Sequence, residues 1–301
     1  MKVMVLAGGP DRERDVSLRS GQQVKLGLEA AGHEVRLGDL MPDDLSALDE
    51  FAQWPGDVIF PIFHGKWGEG GPAQALLAER GFHFVGCEET AARLCFDKAR
   101  TKKTLLDQGL PTPTYELVPT AEQPRLKAPL VIKPNDDGSS IDLRLCPDAQ
   151  SIEDAWFDLS PRYPTLLVER LIDGREMTVG VIEDEQGGPQ ALPPIHIVPA
   201  TEFYDFQAKY ERDDTQYRFD SLPKEIDEDL RHLAVAVFEA LGCRHLARVD
   251  LFVDGQDQPW IIEVNTLPGF TDHSLLPMAA GRSGLSMPAL VDRLVRRAAG
   301  E

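Results

Sequence analysis

Short apolar runs closed by glycine set the pattern of the first third of the chain. Lys2–Ala7 is an apolar strand ending in Gly8-Gly9, and the segment Glu13–His33 predicts a helix that stops at Gly32. A strand at His33–Leu37, a buried strand at Val58–Phe63, a helix around Ala73–Arg80 and a strand at Phe82–Val85 follow. Strands alternating with helices imply a parallel α/β unit whose ligands lie outside the carboxyl ends of the strands. Three polar motifs fall at such ends: GGPDRERDVSLRSG, FHGKWGEGG and FVGCEET.

A helix over Ala91–Gln108 leads to Gly109 and a turn at Leu110–Pro113, after which the texture changes. Strands are predicted at Thr114–Val118, Leu130–Lys133, Thr165–Leu171 and Met177–Ile182, with a helix at Ser151–Leu159 between the second and third. They read as one small α+β unit. Pro199–Pro223 is polar and aromatic without a period of 2 or 3.6, the texture of a loop or lid. Helix Lys224–Leu241 carries Ile226, Leu230, Leu233, Val237 and Leu241 on one stripe and so faces a core. A hairpin of Ala247–Val253 and Pro259–Val264 turns at Asp254-Gly255, and a closing helix spans Met287–Ala299. There is no internal repeat.

Composition narrows the function classes. The 301 residues are 42% hydrophobic and 27% charged, typical of a soluble globular protein with room for two or three domains. A net charge of −19 argues against general nucleic-acid or membrane-surface binding, which needs Lys and Arg. No apolar run reaches the ~18–20 residues of a membrane span, and MKVMVLAGG reads as a strand rather than a signal peptide. The four cysteines, Cys87, Cys95, Cys146 and Cys243, lack CxxC spacing, so reduced thiols and a cytoplasmic location are expected.

The chemistry-bearing residues cluster in the second half. Along the hairpin, Glu263 and Asn265 share a face by strand alternation, and pairing brings Asp250 to the same pocket. Three oxygen ligands of this kind suit Mg²⁺ or Mn²⁺ shared with phosphates, although a polar strand end facing water has the same pattern. Lys133 precedes a turn rich in Asp, Gly and Ser, a setting for phosphate but also an ordinary hairpin turn. Lys98 near a helix start is a second candidate cation, and solvated lysines look the same. Glu169-Arg170-Leu171-Ile172 ends a buried strand at a domain junction.

In order, a lysine, a lysine with a Gly/Ser loop, a strand ending in glutamate, and Arg/Asp and Glu/Asn on a hairpin resemble the ATP-grasp superfamily. The blocks GGPDRERDVSLRSG, HGKWGEGG, FDKARTKKTLLDQGLPTP, KPNDDGSS, VERLIDGREMTVGV, FYDFQAKYERDDTQY and RVDLF…EVNTLPGFTDHSLLPMAA resemble, in sequence, those of D-alanine–D-alanine ligases. The resemblance implies an ATP-grasp fold of mixed α/β and α+β class, with an N-terminal domain at 1–93, a central domain at 94–172 and a C-terminal domain at 173–301. It implies ATP-dependent joining of two D-alanines through an acyl phosphate, for peptidoglycan precursors, by a bacterial cytoplasmic homodimer.

It further implies roles residue by residue. Lys98, Lys133 and Lys209 meet ATP phosphates, with Ser139 and Ser140 in the closing loop. Glu169, Arg170, Leu171 and Ile172 meet the adenine and Glu176 the ribose. Asp250, Glu263 and Asn265 hold two Mg²⁺ or Mn²⁺ ions. Glu13 binds the first D-alanine's ammonium, with His64 near its carboxylate. Ser274 and Leu275 take the second substrate's carboxylate. Arg248 and the Gly269 N–H face the tetrahedral intermediate, and Tyr210 joins Glu13 and Ser139 to shut the site. A tyrosine retained in the lid favours an amine nucleophile over D-lactate.

Three departures from the family pattern stand out. Asp137 replaces a usual Glu, Asp142 a usual Gly, and Gly70 the Asp of GEDG. Asp142, if it pointed inward, would repel a triphosphate. These departures motivate an alternative, a nucleotide-binding relative with lost or weak turnover; ligases using D-lactate or D-serine as second substrate are a further one.

Overall fold

In the computed structural model, which describes residues 1–200 and 214–301, β1 (Lys2–Gly8) lies between two parallel partners, β2 (Glu34–Leu40) and β3 (Val58–Pro61). Val3 to Ala7 are fully buried, as a strand covered on both faces requires. One face packs against α1 (Arg14–Ala30). The other packs against α2 (Ser46–Gln53), the short α3 (Gly65–Glu69) and α4 (Pro72–Glu79). The sequence pattern did not predict α2, whose buried residues Ala47, Leu48 and Phe51 span too little chain to show a period. The expected strand at Phe82–Val85 is reduced to one bridge, Phe84 to Ile59.

The helix expected over Ala91–Gln108 is two helices, α5 (Glu89–Phe96) and α6 (Lys98–Asp107). Asp97 breaks them with extended backbone, and its carboxylate caps α6 by accepting the Arg100 N–H at 3.1 Å. Asn135 holds the same corner: its side-chain oxygen accepts the Ala99 N–H at 2.8 Å and its amide donates to Asp97 at 2.8 Å. The break therefore sets Lys98 at a helix start instead of on a continuous solvated face.

A second, antiparallel sheet has the order β4-β7-β5-β6, from β4 (Tyr115–Pro119), β5 (Leu130–Pro134), β6 (Arg144–Cys146) and β7 (Thr165–Arg170). Helix α7 (Ala149–Leu159) covers it with Ala155, Trp156 and Leu159. The predicted strand Met177–Ile182 does not belong here. It is the middle of β8 (Gly174–Glu183), which pairs along its whole length with β12 (Leu246–Asp254) in a third sheet. That long ladder buries Met177, Val179 and Val181, burial that the smaller sheet would not provide.

The third sheet runs β11-β10-β8-β12-β13, with β9 (Pro189–Ala191) also on β8. Its short strand β10 (Ile195–Val198) precedes the stretch read as irregular, and β11 (Gln216–Arg218) lies within it. Helix α8 (Lys224–Ala240) packs on this sheet through Leu230 and Val237, with Ile226 and Leu233 beside them. After β13 (Pro259–Asn265), helices α9 (Leu275–Arg282) and α10 (Met287–Ala299) return to the first sheet, where Leu290, Val291, Leu294 and Val295 share a core with Val24 and Leu28 of α1. Among the described residues no helix is long and apolar enough to cross a membrane, and Cys87, Cys95, Cys146 and Cys243 are unbridged.

Candidate functional site

The β12–β13 ladder sets Asp250 directly opposite Glu263 and Arg248 opposite Asn265. Residues two apart share a face, so all four project together. Ala247, Val249, Leu251 and Val253 on the other face of β12 are buried. Asp250 is already engaged: Arg248 donates to both its oxygens, at 2.9 and 2.7 Å, and the Thr178 hydroxyl of β8 donates at 2.6 Å. Two carboxylates and one amide oxygen make a hard, all-oxygen set. Among the described residues no group of three or more His, Cys, Asp or Glu is placed to hold a metal. A cation here therefore needs further oxygens from its ligand.

Next to the hairpin, two lysines and a glutamate form a buried clamp. Lys133 Nζ lies 2.5 Å from one oxygen of Glu169 and Lys102 Nζ 2.7 Å from the other, with Lys102 fully buried. Burial pushes the Glu169 carboxyl up, but the two ammonium groups outweigh it and hold it down at about 2. Lys102 also donates to Thr112 Oγ1 at 2.8 Å, which donates to the Ile261 carbonyl at 2.7 Å. The clamp thus ties α6, β7 and β13 together. Lys98 donates to the Asp137 carbonyl at 2.5 Å and sits 3.6 Å from Glu263.

A second cleft opens on the other side of Lys98. Here Ser139 donates to Glu13, which is buried, and His64 Nδ1 meets Glu69 Oε1 at 3.0 Å. Burial opposes a charged His64, yet Glu69 overcomes it and raises its pKa; burial raises Glu69 as well. His64 Nε2 is buried without a hydrogen-bond partner. Ser274 starts α9, and its hydroxyl accepts the Thr271 N–H at 2.9 Å. A Cβ on Gly269 would come within 2.9 Å of Ser274 Oγ, so a side chain there must displace that hydroxyl.

The two clefts enclose about 990 and 1030 Å³ of space, part of it open solvent. Glu13, His64, Ser139, Asn265, Gly269 and Ser274 line the first; Lys133, Ser140, Glu169, Arg170, Leu171, Ile172, Glu176 and Asp250 line the second. Lys98, Arg248, Glu263 and Leu275 line both. Every described residue singled out from the sequence therefore falls in one of two adjoining cavities. Lys209 and Tyr210 lie outside the described residues. Lys102, Glu69 and Thr178 were missed, as were the apolar walls Val131, Leu251, Phe252 and Ile262 of the second cleft. Lys102 had one signal, its spacing of four from Lys98 on the same helix.

The departures resolve structurally. Asp142 points away from both clefts, its carboxylate accepting from the Tyr163 hydroxyl and from Arg162, each at 2.5 Å. At Gly70 a Cβ would meet the Lys66 carbonyl at 2.4 Å, so this backbone excludes a side chain; the neighbouring Glu69, at the Glu of GEDG, is retained and pairs with His64. Asp137 turns on itself, accepting the Gly138 N–H at 2.9 Å.

Residues 105–296 match a family model described as the D-ala D-ala ligase C-terminus. A D-alanine–D-alanine ligase of Marinobacter nauticus is 39% identical over 98% of this chain and 90% of its own length. That of Hydrogenovibrio crunogenus is 41% identical over 98% and 93%. Among solved structures, a Bacillus anthracis D-alanine–D-alanine ligase complexed with ATP is similar with a TM-score of 0.83 and 28% identity, covering 99% of this chain and 97% of that one.

Proposed function

The chain belongs to the D-alanine–D-alanine ligase family, and from that premise we propose that its two clefts carry the two halves of one reaction. The protein is an ATP-grasp enzyme that joins two D-alanines to D-alanyl-D-alanine at the expense of ATP, for peptidoglycan synthesis. The observation that carries the division of labour is that Lys98, Arg248, Glu263 and Leu275 line both cavities.

In this reading the adenine lies against Leu251, Phe252 and Ile262, with backbone groups of Glu169 to Ile172 at its edge and Glu176 at the ribose. Lys98 and Lys133 neutralise the phosphates, and the Gly138-Ser139-Ser140 loop covers them. Asp250, Glu263 and Asn265 would hold two Mg²⁺ or Mn²⁺ ions, which would neutralise charge on the transferring phosphoryl group.

The first D-alanine places its ammonium at Glu13 and its carboxylate near His64. Its carboxylate oxygen attacks the γ-phosphorus, the bond to ADP breaks, and an acyl phosphate results. The second D-alanine, held through its carboxylate by the Ser274 hydroxyl and the Leu275 N–H at the start of α9, attacks with its neutral amine. Arg248 and the Gly269 N–H stabilise the tetrahedral oxyanion until phosphate leaves. A cytoplasmic homodimer belongs to the same reading.

The test is purified protein with ATP, Mg²⁺ and D-alanine, following ADP release and dipeptide by mass spectrometry. Stoichiometric ADP and D-alanyl-D-alanine are expected. Nucleotide binding without turnover, or product only with D-lactate, would overturn the assignment.

A further inference from the structure

The loop that covers the phosphates is held at its inner limb by three contacts: Lys66 with Asp136, Lys98 with the Asp137 carbonyl, and Ser139 with Glu13. Its outer limb has a different anchor. Ser139, Ser140 and Asp142 take left-handed backbone angles, with φ of +55°, +56° and +56°, which side chains other than glycine adopt at a cost. Two consecutive tight turns follow, closed by Ile141 N–H to the Gly138 carbonyl at 3.1 Å and Leu143 N–H to the Ser140 carbonyl at 3.4 Å. A glycine at 142 would relieve that local strain. The chain instead carries an aspartate whose side chain is largely covered, 16% exposed, and points away from the clefts.

That carboxylate meets a prepared site. Tyr163, between α7 and β7, donates its hydroxyl to Asp142 at 2.5 Å while its ring packs on the core of the second sheet. Arg162 donates at 2.5 Å and Arg144 lies 3.5 Å away; both arginines also reach Asp158, at 3.0 and 2.7 Å. Burial pushes the Asp142 carboxyl up, but Tyr163 and the arginines bring it below the usual carboxylate range, so it stays ionised at neutral pH. Tyr163, half-buried and facing a carboxylate, is pushed up to about 12 and keeps its donating proton.

We propose that Asp142, Tyr163 and Arg162 form a latch that holds the outer limb of the phosphate loop in its left-handed conformation, making Asp142 a positioning residue for ATP. The latch couples the loop to the strand that presents Glu169, because Tyr163 lies two residues before β7. It acts on the loop without touching substrate. It rests on the assignment of Gly138–Ser140 to the ATP phosphates; loss of all turnover in the parent enzyme would strike that assignment, whereas the test below compares active enzymes.

Steady-state kinetics of Asp142→Gly, Asp142→Asn and Tyr163→Phe separate the latch from a passive surface cluster. Asp142→Gly relieves the φ strain and removes the anchor; KM for ATP rises on the order of tenfold, the scale of one hydrogen bond to a charged group, while KM for D-alanine stays within about twofold. Tyr163→Phe shifts KM for ATP in the same direction, and the Asp142→Gly/Tyr163→Phe double variant is no worse than the stronger single. Asp142→Asn, which tolerates the same φ and still accepts from Tyr163, recovers part of the loss. An unchanged or lower KM for ATP in Asp142→Gly overturns the proposal, as does an equal rise in both Michaelis constants.

Discussion

The two clefts are built by different means. The nucleotide cleft is walled by strands: Lys133 on β5, Glu169 on β7, Asp250 on β12 and Glu263 on β13. Its polar groups are paired before any ligand arrives, Glu169 by two lysines and Asp250 by Arg248 and Thr178. The amino-acid cleft is assembled from loops and helix starts that belong to all three sheets. Glu13 precedes α1, His64 follows β3, Ser139 lies between β5 and β6, and Ser274 precedes α9. It leaves His64 Nε2 buried and unpaired. One cleft is set by the ladders themselves, the other by contacts between separate units, so damage to each should have a different signature.

Lys133→Ala should have the largest effect. Lys102 still compensates Glu169, so the fold survives, but kcat/KM falls on the order of 100-fold or more for loss of a preorganised phosphate cation. Near-normal turnover with an unchanged melting curve would remove Lys133 from the nucleotide site. Lys102→Met tests the clamp as structure. It leaves Glu169 and Thr112 short of a buried partner, for a loss of ~3–5 kcal/mol in urea unfolding; a change under ~1 kcal/mol would show that the clamp does not hold the three elements together.

Gly269→Ala strikes the other cleft. The added methyl would meet Ser274 Oγ at 2.9 Å, so KM for the second D-alanine should rise roughly fivefold to tenfold, about one lost hydrogen bond, with KM for ATP unmoved. A rise in KM for ATP alone would contradict the division between clefts.

The smallest effect is a pH slope in a residue remote from both cavities. Burial, with Arg244 and Arg297, lowers the His245 pKa to about 3. The unfolded chain therefore takes the proton first. His245 stabilises the fold fully above pH 6.5, and that contribution is lost as pH falls from 6.5 toward about 3. His245→Asn tolerates the left-handed φ of +62° and leaves an acceptor for the Gly86 N–H. Thermal melts between pH 7 and 5 should flatten in this variant; an unchanged slope would assign the acid sensitivity elsewhere.

The same contrast explains what was legible in the sequence. Alternation put Glu263 and Asn265 on one face, because period 2 follows from the backbone, and hairpin pairing brought Asp250 to the same pocket; Arg248 entered only through the family resemblance. Lys102 was hidden, since KARTKK looks like a solvated helix and only tertiary packing buries two of its three lysines, Lys98 and Lys102. The break at Asp97 was hidden too: nothing in the apolar pattern of Ala91–Gln108 reveals that Asn135, distant in sequence, caps the second helix. The His64–Glu69 pair depends on a five-residue helix too short for a period to mark. The family blocks recovered the loop residues of the amino-acid cleft that periodicity alone did not reach.

The central claim is that ATP's γ-phosphate and the first D-alanine's carboxylate meet where Lys98, Arg248 and Glu263 line both cavities. D-alanine labelled with ¹⁸O in its carboxylate tests it most directly, by mass analysis of the inorganic phosphate released during turnover. The account predicts that one labelled oxygen passes to phosphate for each dipeptide formed. Dipeptide accompanied by unlabelled phosphate would contradict it.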